Sequence, residues 1–216
     1  MAWLMQTKVL ARYVPKVETI PSGIDLTKRR NVYGREHPEL FPRRSEWTCQ
    51  GVFLPDDLFP VRACIKSRHK SLPDAINLAG FGFSERLKDI VESVEPGVHQ
   101  FHEVPVFMPS GEPAPMRYFA AIIGHIATDQ VVVEASTIGP GNPKGFSKIK
   151  APTPQDHNKI AIDRAKTPGW HLWDSWDIYL TLTVSDRLRE KIIGSGVHCF
   201  DFTRLIEIDA EQEPFQ

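Results

Sequence analysis

One stretch of this sequence occurs twice, and it decides how the chain folds. The first copy begins with Ser84-Glu85-Arg86-Leu87 and ends with Gly97-Val98-His99-Gln100-Phe101. The second begins with Ser185-Asp186-Arg187-Leu188 and ends with Gly196-Val197-His198-Cys199-Phe200. The starts are 101 positions apart (185 − 84) and the ends 99 (196 − 97), so the second copy is two residues shorter inside. This pattern indicates one supersecondary unit used twice.

Each copy predicts a helix followed by a strand. The serine is suited to cap the helix, because its hydroxyl can accept a hydrogen bond from an amide that has no partner within the helix. The acid that follows is favoured by the helix dipole. Apolar residues then recur on one helical face, a glycine ends the helix, and an alternating segment continues as a strand. We expect both units, at 84–107 and 185–208, to pack into one sheet-containing domain.

The composition is that of an ordinary soluble globular protein. Of 216 residues, 41% are hydrophobic and 25% are charged, which allows a sizeable core. No apolar run approaches the roughly 18 residues that suggest a membrane span, and the first residues do not resemble a secretory signal. Three widely spaced cysteines predict neither a disulfide framework nor a zinc site. Together these features predict a cytoplasmic protein with no membrane partner.

Charge is unevenly distributed along the chain, although the net charge is only −1. Residues 1–70 contain 13 Lys and Arg against 7 Asp and Glu, whereas residues 71–216 contain 13 against 20. Ordinary surface variation is one interpretation, and attraction of different partners by the two parts is the other. The basic clusters lack regularly interleaved aromatic residues, so nucleic-acid binding is not predicted.

The secondary-structure signals also change along the chain. Prolines and turn formers crowd residues 15–60, and we expect residues 1–70 to form an irregular lobe packed on the main domain. Residues 71–216 predict a mostly antiparallel sheet with fewer helices, which is an α+β fold containing the internal repeat. Apolar runs at 117–127 and 131–133 predict an antiparallel hairpin. A long mobile loop is expected at 139–154.

No motif in the chain supports catalysis or cofactor binding. It has no phosphate-binding glycine loop, no nucleophile elbow and no paired Cys-x-x-Cys. His99 and His102 lie three apart on a predicted strand and would point to opposite faces, so they are not expected to share a metal ion. We expect His99 and its repeat His198 to bond to backbone carbonyls just past a helix end. The sequence thus predicts no catalytic residue, no metal and no cofactor.

Three of the five tryptophans lie in one segment, Trp170-His171-Leu172-Trp173-Asp174-Ser175-Trp176-Asp177. Trp170 and Trp173 are suited to anchor a core, since tryptophan is a large apolar side chain. Tryptophan beside aspartate is also typical of a partner-binding hot spot with a charged rim. The candidate partner-binding residues are Trp173, Asp174, Trp176 and Asp177.

Several motifs, taken in order, resemble those of a known family. They are the doubled Ser-acid-Arg-Leu helix, the preceding Leu72-Pro73-Asp74, the two Gly-Val-His segments, and Gly169-Trp170-His171-Leu172-Trp173. The family comprises immunity proteins of bacterial polymorphic toxin systems, numbered eleven and formerly a domain of unknown function. The resemblance covers roughly residues 71–207. It implies a cytoplasmic protein that binds a cognate toxin, often a nuclease delivered by contact-dependent or type VI secretion, and blocks its active site or its motion.

What the resemblance implies is stoichiometric inhibition and not catalysis. Two other classes stay open. One is a hydrolase that reverses a toxin's modification with convergent His and Asp groups, and the other is an adaptor or scaffold with a different partner. A toxin gene immediately upstream would favour the immunity protein. The oligomeric state does not follow from the sequence.

Overall fold

The fold is α+β, as the sequence predicts. The computed structural model describes residues 1–7, 15–37, 51–67, 71–137, 159–175, 177–178 and 181–209. The α-helices there are α1 (Gly23–Glu36), α2 (Glu85–Glu92) and α3 (Asp186–Gly194). The strands are β1 (Ala2–Thr7), β2 (Val17–Ile20), β3 (Arg62–Ile65), β4 (Ala75–Asn77), β5 (Phe81–Ser84), β6 (Gln100–Val104), β7 (Val106–Phe107), β8 (Tyr118–Ile122), β9 (Ile126–Ala127), β10 (Ala161–Asp163), β11 (Leu172–Ser175), β12 (Leu182–Ser185), β13 (Phe200–Arg204) and β14 (Ile206–Ile208).

The chain divides into two compact units. The first unit contains Met1–Gln6, His125–Ser195 and Phe200–Gln216, and the second contains Thr7–Gly124 and Gly196–Cys199. β1 therefore belongs to the first unit, while β2 and β3 belong to the second. The repeat helices α2 and α3 also lie in different units. A lobe at 1–70 and a single domain at 71–216 are thus not confirmed.

The second unit is built on a four-stranded sheet in the order β4-β5-β8-β6, in which all neighbours are antiparallel. β5 leads into α2 and β6 follows it, while β8 lies between these two strands. α2 packs on β5 and β8 through its apolar face, where Leu87 and Val91 are buried. A second sheet, β2-β3-β7, shares the main core with the first through buried side chains such as Ile65 and Tyr118.

The first unit is built on a five-stranded sheet in the order β13-β1-β12-β11-β9. β12 leads into α3 and β13 follows it, while β1 lies between these two strands. β12 is antiparallel to β1 and to β11, and β9 is parallel to β11. A parallel pair, β10 and β14, belongs to the same unit. Leu4, Trp173 and Ile162 are among the buried side chains of its core.

Both repeat helices begin where their serines predict. The Ser84 hydroxyl oxygen accepts a hydrogen bond from the Leu87 amide at 3.2 Å, and Ser185 accepts one from the Leu188 amide at 3.3 Å. Serine caps of this kind stabilise a helix by about 1 kcal/mol. None of the helices in the described ranges is long and apolar enough to cross a membrane.

The hairpin expected at 117–133 is wrong. β8 ends at Ile122, and at Gly124 a side-chain Cβ would lie 1.9 Å from the Val98 carbonyl oxygen, so only glycine fits there. β9 then pairs with β11 in parallel, and Val131 forms an isolated bridge to Ile162. The chain changes sheets here instead of turning back. The loop expected at 139–154 lies outside the described residues.

One long helix was not expected. α1 occupies the proline-free interval between Pro21 and Pro38, within the segment expected to be irregular. Ser22 caps it by accepting a hydrogen bond from the Asp25 amide at 3.2 Å, and the Ser22 hydroxyl donates to the Asp25 carboxylate at 2.6 Å. This serine-acid pair is a start signal that the sequence does contain.

Candidate functional site

The tryptophan-rich segment holds in place a turn that leads into two buried residues, Gln130 and Val131. The Trp173 indole nitrogen Nε1 donates to the Gln130 side-chain oxygen at 3.0 Å. The Asp177 carboxylate accepts hydrogen bonds from the backbone amides of Gln130 and Val131, at 2.7 and 3.0 Å. The turn includes Asp129 at φ 56°, a left-handed conformation that is uncommon for a residue with a side chain. Trp173 and Asp177 therefore both support this turn.

Asp174 is a buried carboxylate on β11, an inner strand of the five-stranded sheet. It lies on β11 opposite Leu182 of β12 and Ile126 of β9. Its Oδ1 accepts a hydrogen bond from the Ser175 amide at 2.8 Å. Burial disfavours the charged form and raises the pKa of Asp174 to about 7, and the amide hydrogen bond only partly opposes that rise. At neutral pH the group is near the midpoint of its titration.

Three of the four candidate partner-binding residues lie in the interior of the first unit. Trp173, Asp174 and Asp177 have exposed fractions of 2%, 6% and 4%. Trp176 lies outside the described residues. Their assignment to a partner interface stays a prediction. Because the three side chains are buried, they could affect such an interface only by positioning other residues at the surface. Sequence spacing alone did not reveal this, because a hot-spot tryptophan and a core tryptophan have the same local sequence.

A buried carboxylate fixes the start of α2. The Ser84 hydroxyl donates to Asp74 Oδ1 at 2.6 Å, and the Ser84 amide donates to the Asp74 carbonyl at 2.7 Å. Arg86 donates through Nε and Nη2 to the two carboxylate oxygens of Asp74, at 3.0 and 2.5 Å. Asp74 and Ser84 are both buried. One carboxylate thus binds both the cap serine and the arginine in the first turn of the helix.

His171 occupies the corresponding position in the first unit. The Ser185 amide donates to the His171 carbonyl at 3.0 Å, and the Ser185 hydroxyl lies 2.7 Å from His171 Nδ1. Ser185 also caps α3, as Ser84 caps α2. The serine therefore keeps the same contacts in both copies, whereas the residue it bonds to is an acid in one and an imidazole in the other.

The helix surfaces facing the sheets also correspond. In the second unit the Lys88 ammonium lies 5.2 Å from the centre of the Phe119 ring, and in the first the Arg189 guanidinium lies 4.1 Å from the Trp3 ring. Lys88 and Arg189 are the fourth residue after their cap serines. Phe119 and Trp3 occupy equivalent places on β8 and β1. Each is the residue directly after the one that pairs with the cap serine across the sheet. In each unit, therefore, a basic side chain of the repeat helix packs over an aromatic ring of the adjacent strand at the same position.

His99 has a structural role, although its partners differ from those expected. Its Nδ1 accepts a hydrogen bond from the Gly124 amide at 3.1 Å, and its Nε2 lies 3.1 Å from the Glu95 carboxylate. The ring therefore bonds to a backbone amide and an acid, and the expectation of a carbonyl partner is not confirmed by these contacts. His99 and Glu95 are both buried, whereas His198 is exposed.

Burial keeps two potentially reactive groups of the second unit, the Cys199 thiol and the Tyr118 hydroxyl, in their neutral forms. Burial, with a smaller effect of the Asp74 charge, raises the pKa of the Cys199 thiol to about 11, so the thiolate that would act as a nucleophile is scarce. Burial likewise raises the pKa of Tyr118, whose hydroxyl donates to the Pro73 carbonyl at 2.7 Å. Within the described part of the chain, no three His, Cys, Asp or Glu side chains converge as a metal site would require.

Comparison with known proteins gives the class of this molecule. The family model described as "Immunity protein family (Imm11)" matches residues 27–206 of the 216. No curated protein matches the chain. The chain belongs to the Imm11 immunity protein family, which confirms the resemblance drawn from the repeated helix and the tryptophan segment. The match begins within α1, well before the residue 71 at which the resemblance began.

Proposed function

We propose that this immunity protein acts in the cytoplasm and neutralises a cognate toxin domain, a nuclease, by binding it stoichiometrically. The family match over residues 27–206 is the observation that carries the proposal. Inhibition of this kind needs a specific protein–protein interface, which typically buries about 1,600 Å² in total. Complementary charge across such an interface would speed the encounter.

The polar clusters of the molecule support binding over catalysis. The Ser84 and Ser185 hydroxyls cap helices, the Asp74 carboxylate joins Ser84 to Arg86, and the Asp177 carboxylate holds backbone amides. Each of these groups has a use in the fold. The charged groups of the surface are therefore the better candidates for a role in binding. The excess of acids in residues 71–216 suits a basic nuclease.

A hydrolase is the second candidate, because Ser185 and His171 are paired as a nucleophile and its base would be. The second unit argues for a structural role of this contact. There Ser84 makes the same cap and the same backbone hydrogen bond, with a carboxylate in place of the imidazole and with its side chain buried. The serine-acceptor contact therefore belongs to the start of the helix in both units.

Titration of the toxin separates the two candidates. The toxin domain encoded immediately upstream would be incubated with plasmid DNA and increasing amounts of purified immunity protein. Stoichiometric binding predicts that nuclease activity falls linearly and reaches zero near one equivalent. A hydrolase would protect at a small fraction of an equivalent, and the Ser185→Ala variant would lose that protection while remaining folded. A toxin that stays active at tenfold excess of the immunity protein, with no complex on gel filtration, would refute the proposed function.

A further inference from the structure

The two repeat helices differ in one arginine, whose guanidinium has a partner in one copy and none among the described residues in the other. Arg86 and Arg187 occupy the same position, two residues after the cap serines Ser84 and Ser185. In the second unit the guanidinium of Arg86 is neutralised by both carboxylate oxygens of Asp74. In the first unit the corresponding acceptor is His171, which has no carboxylate.

Arg187 is exposed, and within the described ranges it makes no hydrogen bond or ion pair. An arginine in the first turn of a helix is disfavoured by the helix dipole unless an acid compensates it. The two carboxylate oxygens of Asp74 supply that compensation for Arg86. Asp186 precedes Arg187 in the same turn, but its carboxylate is bound by the Met1 amino group and the Trp3 indole. A carboxylate of a partner would therefore supply the direct counter-charge that Arg187 lacks among the described residues.

The rest of α3 is consistent with a contact surface. Its sequence contains three basic and two acidic residues, whereas α2 contains two basic and three acidic residues. The outward residues Arg187, Glu190 and Lys191 are exposed, and Ile193 exposes 45% of its surface. In α2 the position of Ile193 is occupied by Glu92. α3 thus combines a net positive charge with an exposed apolar side chain, which α2 does not.

We infer that Arg187, on the outer face of α3, contacts an acidic side chain of the bound toxin domain through a bidentate guanidinium–carboxylate pair. The inference rests on the proposed function and names one residue of its interface. Arginine suits this role because its planar fork of N–H donors matches the two oxygens of a carboxylate. Ile193 lies further along the same helix and would be covered by the same partner. The acidic residues elsewhere in 71–216 would meet the basic parts of the toxin.

The test measures binding of the toxin domain encoded immediately upstream, inactivated at its catalytic residue, by calorimetry. Arg187→Ala is expected to weaken binding by about tenfold or more, which is typical of an interface arginine. Arg29→Ala is the matched control, because it removes the same charge from an exposed position of α1 that lies in the other unit. It should change the affinity less than twofold, within the usual scatter for residues outside an interface. Circular dichroism and thermal melts confirm that both variants fold.

A second variant neutralises Arg187 without removing it. His171→Asp places a carboxylate where Asp74 stands in the second unit, so that Arg187 can pair within its own chain. This variant should melt no lower than the wild type and should also lose most of the affinity that Arg187→Ala loses. Adding Arg187→Ala to His171→Asp should then cost little more. Such non-additivity is not expected of two unrelated surface changes.

The outcomes separate the inference from the proposed function. A wild-type chain that does not bind the toxin overturns both. A wild-type chain that binds, with Arg187→Ala binding equally well, overturns the inference alone. Equal losses in Arg187→Ala and Arg29→Ala also overturn it, because they would reflect the overall charge of the protein and not a contact on α3.

Discussion

Replacing the buried carboxylate of Asp174 by an amide tests the electrostatics of the first unit. Asp174→Asn keeps the size of the side chain and the oxygen that accepts the Ser175 amide, but the new group cannot ionise. In the wild type, burial raises the pKa of Asp174 to about 7 from an ordinary value of 3.8. The native state therefore holds this proton more tightly than the unfolded chain does.

The sign and size of the effect follow from that difference. Because the folded-state pKa is the higher one, the contribution of Asp174 to stability is complete below pH 3.8 and is lost as the pH rises to about 7. Each pKa unit corresponds to about 1.4 kcal/mol, so roughly three units amount to about 4 kcal/mol lost between pH 4 and pH 7. The asparagine variant lacks this loss. Its stability relative to the wild type should rise by about that amount over the same range.

Urea unfolding at pH 4, 5, 6, 7 and 8, followed by tryptophan fluorescence, would measure the free energy of unfolding of both proteins. An amide donor left without a partner would lower the stability of the variant by about 1 to 3 kcal/mol, but equally at every pH. Glu190→Gln, which removes an exposed carboxylate of the same unit, serves as the control and should differ little from the wild type. A difference between Asp174→Asn and wild type that stays constant within about 1 kcal/mol from pH 5 to pH 8 would refute the burial argument.

Three further outcomes are expected. Asp177→Ala should destabilise the first unit by about 2 to 5 kcal/mol in a urea melt, because two buried amides lose their acceptor; a loss below 1 kcal/mol would contradict the clamp on the turn. Gly124→Ala should cost more than about 2 kcal/mol, since its Cβ would lie 1.9 Å from a carbonyl oxygen, and a wild-type melting temperature would contradict that. Cys199, whose thiol pKa is about 11, should react with a thiol reagent at pH 8 only after unfolding, as mass spectrometry of the labelled peptide would show, while immediate labelling in native buffer would contradict its burial.

The sequence was most informative where structure depends on a few neighbouring residues. Both repeat helices were predicted from a cap serine, an acid and an apolar face, all within about ten positions, and the structure has α2 and α3 there. The same logic would have found α1 from Ser22 and Asp25. The prolines spread over 15–60 favour an irregular segment, but the interval between Pro21 and Pro38 contains none and is long enough for α1.

Signals that depend on the choice of strand partner were less informative. An apolar run near Gly124 has the local pattern of a hairpin, but the run divides at that glycine and its second part pairs with β11, nearly fifty residues further on. The local pattern is compatible with either arrangement. Only the packing of the strands selects between them, because each must cover its apolar face and pair its backbone groups.

The candidate site shows the same limit. Tryptophan and aspartate in one segment predicted a partner contact, and the side chains of Trp173, Asp174 and Asp177 turned out to be buried. Their burial is a property of the strands beside them and not of the segment itself. The family of the protein, by contrast, could be recognised from the order of its motifs along the chain. That order can be read without knowing which strands pair.

By itself, then, the sequence determined the α+β class, the two capped helices and the immunity protein family. The tertiary structure decided which groups meet across long separations, such as Ser84 with Asp74, Ser185 with His171, and the Trp3 indole with Asp186, which are 183 positions apart. Caps and helical faces are encoded within a turn or two of the chain, so a reader of the sequence can find them. Whether an arginine is neutralised or left exposed depends on which distant strand delivers its acceptor, and that is set by the folding of the whole unit.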